Sequence, residues 1–479
     1  MTPRVRGGLR LDANKARSTR SPLRSASVPA ELILPLDQHA GAPARPIVQP
    51  GEAVLLGQPI AEPHGDISAW LHSPVSGRVA AIEPREVPYR VDPAQSIVIA
   101  NDGRDARFAQ PAVDYRAMSE GELRAHIARG GIVGLGGATF PTEPKLSRSN
   151  VASDRHLLLN GAECEPWISC DDMLMRERAG DVILGARILR QAIGATKCTI
   201  AIEDDIPLAA AALRAALDYQ DDIAISVQHD IYPAGGERQL ILAVMGREVP
   251  SGGLPADIGI VVQNVGTAAA VARWFRDGEP LISRIVTITG SGVREATNLE
   301  ARLGTPIAAL IADCGGYAQE AQQLIMGGSM MGLGLTSDSL PLVKATNCVI
   351  VAANADLQPR GVEMPCIRCG DCAEVCPASL LPQQLHWHAR DQNLGALLQL
   401  GLMDCIECGC CDYVCPSQIP LTQQFRIAKI PVSSELQARS DASAARARYE
   451  ARNERLLRIE QEQRERLEAK RRQLTGRKQ

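Results

Sequence analysis

The residues best suited to chemistry are two runs of cysteines towards the carboxyl end of the chain. Cys366-x₂-Cys369-x₂-Cys372-x₃-Cys376-Pro is repeated as Cys405-x₂-Cys408-x₂-Cys411-x₃-Cys415-Pro. Two-residue gaps let three thiolates of one loop reach a single [4Fe–4S] cluster, and in two-cluster ferredoxins the fourth cysteine ligates the other cluster. We therefore expect two clusters, one held by Cys366, Cys369, Cys372 and Cys415 and the other by Cys405, Cys408, Cys411 and Cys376. Structural zinc is the alternative that four cysteines leave open.

A second candidate for chemistry is the glycine-rich stretch 130–142, GGIVGLGGATFPT, which is followed by Lys145. Glycines let backbone N–H groups approach an anion closely, and a nearby lysine adds a positive charge. The spacing matches neither the dinucleotide fingerprint GxGxxG nor the phosphate loop GxxxxGK[ST]. The stretch alone predicts either an anion-binding loop or an ordinary turn.

Three further segments follow in order, each at the end of a predicted strand or loop: 160–166 (NGAECEP), 232–237 (YPAGGE) and 263–267 (QNVGT). Together with the glycine-rich stretch they resemble the segments that wrap FMN and nicotinamide in the NADH-oxidising flavoprotein subunit of respiratory complex I. This sequence departs from that family at Gln263, where the family has Asn, and at Ala162, where it has an acidic residue.

The resemblance to the complex I flavoprotein also implies roles for individual side chains. Glu165 and Glu237 would face the nicotinamide and act in catalysis. The residues that it implies for binding FMN are Gly134, Gly136, Gly137, Lys145, Asn160, Glu163, Asp171 and Asn264.

The elements that must position these residues begin with a β-rich region at 31–100. The hairpins PGEAVLLGQPIA and HSPVSGRV resemble the two halves of a lipoyl-type barrel. Such a carrier domain needs a lysine at its hairpin tip, and the sequence has no lysine between residues 16 and 144. We therefore predict a structural barrel without a swinging arm.

Between about 115 and 275, predicted strands alternate with predicted helices, and this alternation favours a parallel sheet that is covered on both faces. The fold class that we predict is multidomain α/β plus α+β. Its parts are an N-terminal barrel-sandwich hybrid (1–110), a Rossmann-like α/β domain for FMN and NADH (111–278), a β-grasp-type module (279–350), a two-cluster ferredoxin domain (351–432) and a basic, charged helical tail (433–479).

This order of modules resembles the RnfC family, a subunit of the Rnf (Rsx) complex, which is a translocase-type, ion-translocating ferredoxin:NAD oxidoreductase. The resemblance implies a peripheral electron-transport subunit on the cytoplasmic face of the bacterial inner membrane. NAD(H) would be the substrate, with noncovalent FMN and two [4Fe–4S] clusters as cofactors. The partners would be the other subunits of the complex, with indirect electron exchange with ferredoxin and no nucleic acid. Two alternatives remain open: a non-catalytic iron–sulfur adapter and a soluble diaphorase subunit.

Composition agrees with a globular, multidomain chain. Its 479 residues are 45% hydrophobic and 22% charged, which excludes a wholly disordered or collagen-like protein. Aromatic residues make up only 3% of the chain, which disfavours nucleic-acid binding through stacked rings. The grouping of the 14 cysteines favours a reducing compartment over an extracellular disulfide scaffold.

Charge is concentrated at the two ends of the sequence. Residues 1–24 and 439–479 each carry a net charge of +6, whereas the whole chain carries −4. Basic ends on an acidic body suggest contact with an anionic surface such as a membrane, and solvated tails are the alternative.

Overall fold

A computed structural model describes residues 6–148, 155–219, 221–318, 321–357 and 361–476. Three of the terminal basic residues counted above, Arg4, Arg477 and Lys478, lie outside these residues. Within the described ranges, no helix has the length and apolar character needed to cross a bilayer.

The N-terminal domain is a sandwich of two small sheets. One sheet has the strand order β2-β8-β7-β4 and the other has the order β3-β5-β6. Alternate residues of each strand face the interior, as Leu32 and Leu34 do opposite Ile97 and Ile99. The strands are β2 (Glu31–Pro35), β3 (Arg45–Pro46), β4 (Ala53–Val54), β5 (Pro59–Glu62), β6 (Leu71–His72), β7 (Gly77–Arg85) and β8 (Ala94–Asn101).

The second domain is a parallel sheet between helices, as the sequence predicts. Its strands are β9 (His156–Gly161), β10 (Lys197–Glu203), β11 (Ile223–Gln228) and β12 (Ile260–Asn264), and their order is β11-β10-β9-β12. Its helices are α1 (Glu120–Arg129), α2 (Thr142–Ser147), α3 (Cys170–Glu177), α4 (Ala179–Ala192), α5 (Pro207–Ala216), α6 (Glu237–Met245) and α7 (Val265–Asp277).

Strand β9 shows how this sheet is covered on both faces. Leu157 and Leu159 belong to the hydrophobic core that contains α4, α5 and α7, whereas Leu158 packs with Leu240 and Ile241 of α6. Successive strand residues point to opposite faces, so a continuous apolar run fits a strand that is buried on both sides.

The third domain is built on a mixed six-stranded sheet, ordered β1-β14-β13-β17-β15-β16. Strand β17 continues past residue 350, so the domain boundary that we predicted there falls inside a strand. The elements are β1 (Arg24–Ser25), β13 (Ser283–Thr289), β14 (Thr297–Arg302), α8 (Ile307–Asp313), β15 (Ala321–Met326), β16 (Leu333–Leu335) and β17 (Cys348–Ala353).

The cysteine-rich domain contains two loops with the same backbone conformation. Arg368 and Glu407, at equivalent positions of the two runs, both have φ of 58°, and Gly370 and Gly409 also adopt positive φ at equivalent positions. The helices are α9 (Asp371–Glu374), α10 (Pro382–Arg390), α11 (Leu394–Gln399), α12 (Cys410–Tyr413) and α13 (Leu421–Gly476).

The charged tail is the continuation of helix α13, which runs unbroken through the domain boundary that we predicted at residue 432. Phe425 and Val432 are buried against the cysteine-rich domain, and the helix is mostly exposed beyond them. The exposed part carries i,i+4 ion pairs such as Glu435–Arg439 at 2.8 Å.

The described part of the basic N-terminus packs into the molecule. Lys15 is 8% exposed, its Nζ donates to the carbonyl of Glu163 at 2.5 Å, and it lies 3.6 Å from the Glu203 carboxylate. Gly8 N donates to the Val375 carbonyl at 2.9 Å, which joins this segment to the cysteine-rich domain. The alternative of a solvated tail therefore does not describe the stretch from Gly8 to Lys15, because backbone hydrogen bonds and the burial of Lys15 hold it between domains. Arg10, Arg20 and Arg24 of the same segment are exposed.

Candidate cofactor and cluster sites

A cavity of about 1080 Å³ lies at the carboxyl ends of β9 and β12. These strands connect in opposite directions across the sheet, and ligands of open α/β sheets bind at such a switch point. All ten residues to which the resemblance gives a role at FMN or nicotinamide line this cavity: Gly134, Gly136, Gly137, Lys145, Asn160, Glu163, Glu165, Asp171, Glu237 and Asn264.

The glycine-rich stretch forms one wall of the cavity. Gly137 has φ of +123°, which side chains rarely adopt, and Leu135 N is anchored by the Thr267 hydroxyl at 2.9 Å. A Cβ on Gly136 would lie 3.5 Å from the Asn264 side chain. The loop therefore presents bare backbone to the cavity.

Two asparagines at the ends of β9 and β12 hold the floor of the cavity. The Asn264 amide donates to Asp171 at 2.6 Å, and its oxygen accepts from Gly266 N at 2.8 Å, capping α7. The Asn160 amide donates to the carbonyl of Gly235 at 2.8 Å. These bonds fix the strand-end turns that surround the switch point.

The buried carboxyl of Glu163 caps helix α3 beside the cavity. It accepts hydrogen bonds from Asp171 N at 3.0 Å and from the Cys170 thiol at 3.2 Å. Burial, with the neighbouring Asp171 charge, raises the pKa of Glu163, and burial likewise raises the pKa of Asp171. Lys15 supplies a compensating positive charge to this pair.

The two carboxylates that the sequence placed opposite nicotinamide are bonded to protein groups. Glu165 accepts from Met330 N at 2.7 Å and from Met331 N at 2.9 Å, and its burial raises its pKa. Glu237 lies 2.6 Å from Lys145 Nζ. Glu165 thus ties the turn before β16 to the cavity, and Glu237 forms an ion pair with the lysine that the sequence assigned to FMN.

The cavity also contains buried polar atoms that suit an amide-rich ligand. Among the described residues, Gln263 Nε2, Gln239 Oε1 and His39 Nδ1 have no hydrogen-bond partner, and all three residues line the cavity. An unsatisfied buried polar group costs about 1–3 kcal/mol, so such atoms favour a bound partner. A flavin ring offers both donors and acceptors, and the bare glycine backbone leaves room for it, so these residues fit FMN.

Several cavity residues could not be found from the sequence. Asp37, His39 and Tyr89 come from the barrel, Arg148 follows α2, and the turn 326–333 comes from the third domain. Their local sequence carries no binding pattern, because they reach the cavity only through the packing of one domain on another.

The eight predicted cluster cysteines gather in two cavities. One is lined by Cys366, Cys369, Cys372 and Cys415. The other is lined by Cys405, Cys408, Cys411 and Cys376, and also by Cys410, which stands outside the repeated cysteine spacing. Each cavity brings together three thiols of one run and the last thiol of the other, and four cysteine sulfurs are the donor set of a [4Fe–4S] cluster.

The second cluster cavity adjoins the large cavity. Ile406 lines both. The buried Tyr232, which lines the large cavity, donates its hydroxyl to the Cys408 carbonyl at 2.6 Å. Met330 packs in the same cluster of side chains as Tyr232 and Cys410. The two sites are therefore separated by a thin layer of packed side chains.

Comparison with protein families agrees with this organisation. The sequence matches the RnfC barrel sandwich hybrid domain over residues 3–104 and the Nuo51 FMN-binding domain over residues 127–273. It matches the SLBB domain over residues 285–334 and the 4Fe-4S dicluster domain over residues 365–419. This succession defines a modular iron–sulfur flavoprotein, with an FMN-binding domain and a dicluster domain in one chain.

Sequence comparison with curated relatives is more specific than these family models. The chain is 49% identical over 95% of its length to the RnfC subunit of the ion-translocating oxidoreductase complex of Pseudomonas aeruginosa, of which it covers 59%. It is 43% identical over 94% of its length to the RnfC subunits of Erwinia tasmaniensis and Vibrio cholerae, of which it covers 56% and 59%. The chain is similar to these subunits along nearly all of its own length and spans about three fifths of the length of these relatives.

Among solved structures, the chain is similar to a NAD⁺-reducing [NiFe]-hydrogenase. The air-oxidised form shares 20% identity, with a TM-score of 0.43, over 58% of this chain and 54% of the hydrogenase chain. The H₂-reduced form has a TM-score of 0.45, with the same identity, over 64% of this chain and 60% of the other.

Proposed function

We propose that this chain is the NAD(H)-oxidising or NAD(H)-reducing subunit of an ion-translocating ferredoxin:NAD oxidoreductase complex. The observation that carries the proposal is the contact between the two kinds of site: Ile406 lines both the large cavity and the second cluster cavity. A hydride carries two electrons and an iron–sulfur cluster accepts one. FMN, when bound, supplies the chemistry that converts between the two.

In this proposal, the residues of the chain bind the flavin and orient the nicotinamide. The glycine-rich loop and the asparagines Asn160 and Asn264 hold the flavin. Glu165 and Glu237 lie at the cavity wall, where they can orient the nicotinamide once their present hydrogen bonds are exchanged. Tyr232 keeps the second cysteine run in contact with the cavity.

In this proposal, the first cluster exchanges electrons with a partner protein. Cys369 is exposed, and the nearby Val362, Met364 and Ile367 expose 82%, 58% and 68% of their surface. Exposed apolar side chains beside a cluster ligand favour contact with another protein. We assign it to another redox subunit of the complex, which exchanges electrons indirectly with ferredoxin.

The same proposal places the chain as a peripheral subunit on the cytoplasmic face of the inner membrane. Residues 439–479 carry a net charge of +6, and the described part of this segment is the mostly exposed end of α13. Basic segments are attracted to anionic lipid surfaces. Removing the chain beyond residue 438 should reduce co-sedimentation with anionic vesicles, and unchanged co-sedimentation would contradict this part of the proposal.

The test of the function is an anaerobic titration of the chain, reconstituted with FMN and iron–sulfur clusters, with NADH. Bleaching of the bound flavin by NADH is the expected result. Flavin that stays oxidised would favour the non-catalytic adapter, and this outcome would refute the proposal. A soluble diaphorase would bleach in the same way but would not co-purify with membrane subunits.

A further inference from the structure

The barrel domain forms a wall of the large cavity although it lacks a carrier lysine. The turn after β2, with Asp37, His39 and Ala40, lines the cavity together with Tyr89. Ala40 N donates to the Thr139 carbonyl at 3.2 Å, so this turn rests directly on the glycine-rich loop. The barrel is thus part of the site and not only a neighbouring support.

The barrel wall offers polar groups with unused hydrogen-bonding capacity. Tyr89 Oη donates to one Asp37 oxygen at 2.5 Å, and Arg90 donates to the other at 3.0 Å. Each carboxylate oxygen can accept a second bond. His39 is 6% exposed, and its Nδ1 has no partner within the described part of the chain.

Aromatic and cationic residues line the cavity next to this wall, because Phe140 follows the Thr139 to which the barrel turn bonds. The Arg148 guanidinium lies 5.9 Å from the centroid of the Phe140 ring, and both residues line the cavity with Lys145. Aromatic faces stack on flat bases, lysine and arginine bind phosphates, and a carboxylate accepts hydrogen bonds from hydroxyl groups. Together, these groups match a nucleotide: a base, a phosphate and a ribose.

This end of the cavity is therefore suited to the half of a dinucleotide that does not react. The reacting nicotinamide must lie against the flavin at the switch point formed by Asn160 and Asn264. We propose that the barrel wall binds the adenosine half of NAD(H), with Asp37 accepting hydrogen bonds from the ribose hydroxyls and Tyr89 contributing its ring. This inference rests on the proposed function.

The same carboxylate should also set cofactor specificity. NADP(H) carries a phosphate on the ribose of its adenosine half, and a like charge beside Asp37 disfavours it. We expect the chain to bind NADH more tightly than NADPH and Asp37→Asn to narrow this preference.

Binding of cofactor fragments to the chain loaded with FMN and clusters tests the proposal. Removing a hydrogen bond that involves a charged group weakens binding by roughly tenfold or more. Asp37→Asn should therefore weaken the binding of NADH and of ADP-ribose by about this factor. It should leave unchanged the affinity for reduced nicotinamide mononucleotide, which lacks adenosine. Tyr89 is half-buried, and Tyr89→Ala should also weaken the binding of ADP-ribose. Asp66→Asn, an exposed barrel carboxylate that does not line the cavity, is the matched control and should change nothing.

Three outcomes would overturn the assignment. One is equal weakening of NADH and of reduced nicotinamide mononucleotide by Asp37→Asn. The second is unchanged affinity for ADP-ribose in both Asp37→Asn and Tyr89→Ala. The third is a loss of bound FMN with unchanged NADH affinity, which would assign the wall to the flavin. Failure of the parent chain to bind NADH at all would instead refute the proposed function, and this inference with it.

Discussion

The contact between helices α4 and α7 links the stability of the central domain to its cavity. Gly185 of α4 lies against Ala268 of α7. A Cβ placed on Gly185 would lie 1.9 Å from the Ala268 carbonyl oxygen and 2.8 Å from its Cα. Ordinary contacts begin near 3.4 Å, so Gly185→Ala requires the helices to separate locally by about 1.5 Å.

Two opposing effects decide whether Gly185→Ala raises or lowers the free energy of unfolding. Replacing glycine by alanine inside a helix gains up to about 1 kcal/mol in helix propensity. Overpacking a close contact with backbone costs about 1–3 kcal/mol. Because the atoms that clash are backbone atoms, we expect a cost near the upper end of that range, and thus a net loss of about 2 kcal/mol in the free energy of unfolding.

The displacement should also reach the cavity. Ala268 lies one turn after Asn264, which caps α7 and bonds Asp171 at the cavity floor. Gly185→Ala should therefore lower both the melting temperature and the FMN retained after gel filtration. Gly180→Ala on the same helix is the control, because Gly180 is exposed and a Cβ there has no neighbour within 4 Å. Equal stability and FMN content in the two variants would refute this reasoning.

Three further predictions concern the clusters and the buried charges. Cys376 belongs to the first run but lines the second cluster cavity, so Cys376→Ala should remove the EPR signal of the second cluster and preserve that of the first. Loss of the first signal alone would refute this crossed grouping of the cysteines. Tyr232→Phe should slow cluster reduction after flavin bleaching and shift the potential of the second cluster, measured by EPR-monitored titration, because it removes the bond to Cys408; an unchanged rate and potential would contradict this. Burial raises the pKa of Glu203 from 4.5 to about 8, so between these two pH values the native state holds a proton that the unfolded chain has released. Its contribution to stability should thus fall as pH rises from 4.5 through 8, and the melting temperature of Glu203→Gln should vary less over that window; parallel profiles would contradict this.

Features coded within short segments could be predicted from the sequence. The spacing of the cysteine runs predicts two groups of four thiols, and the structure gathers those same eight residues. Alternating apolar strands and helices predict the parallel sheet, because burial on both faces leaves a continuous run such as Leu157–Leu159. The resemblance to the complex I flavoprotein implied the strand-end asparagines Asn160 and Asn264, and the structure places both at the cavity.

Features that depend on packing between domains could not be predicted. Lys15 reads as part of a basic tail, yet it is buried beside Glu203, which lies 188 positions away along the chain. Glu165 was placed opposite nicotinamide, and only the fold shows that it bonds the backbone of Met330 and Met331. Asp37 carries no local binding pattern because the barrel meets the glycine-rich loop only in three dimensions.

The most direct test of the proposed function is whether NADH can reduce the clusters without FMN. In a single-turnover experiment with the cluster-loaded chain, freeze-quenched samples would be followed by EPR with and without bound FMN. We predict reduced-cluster signals after NADH only when FMN is present. Clusters that are reduced equally fast without FMN, or that stay oxidised while the flavin bleaches, would contradict this mechanism.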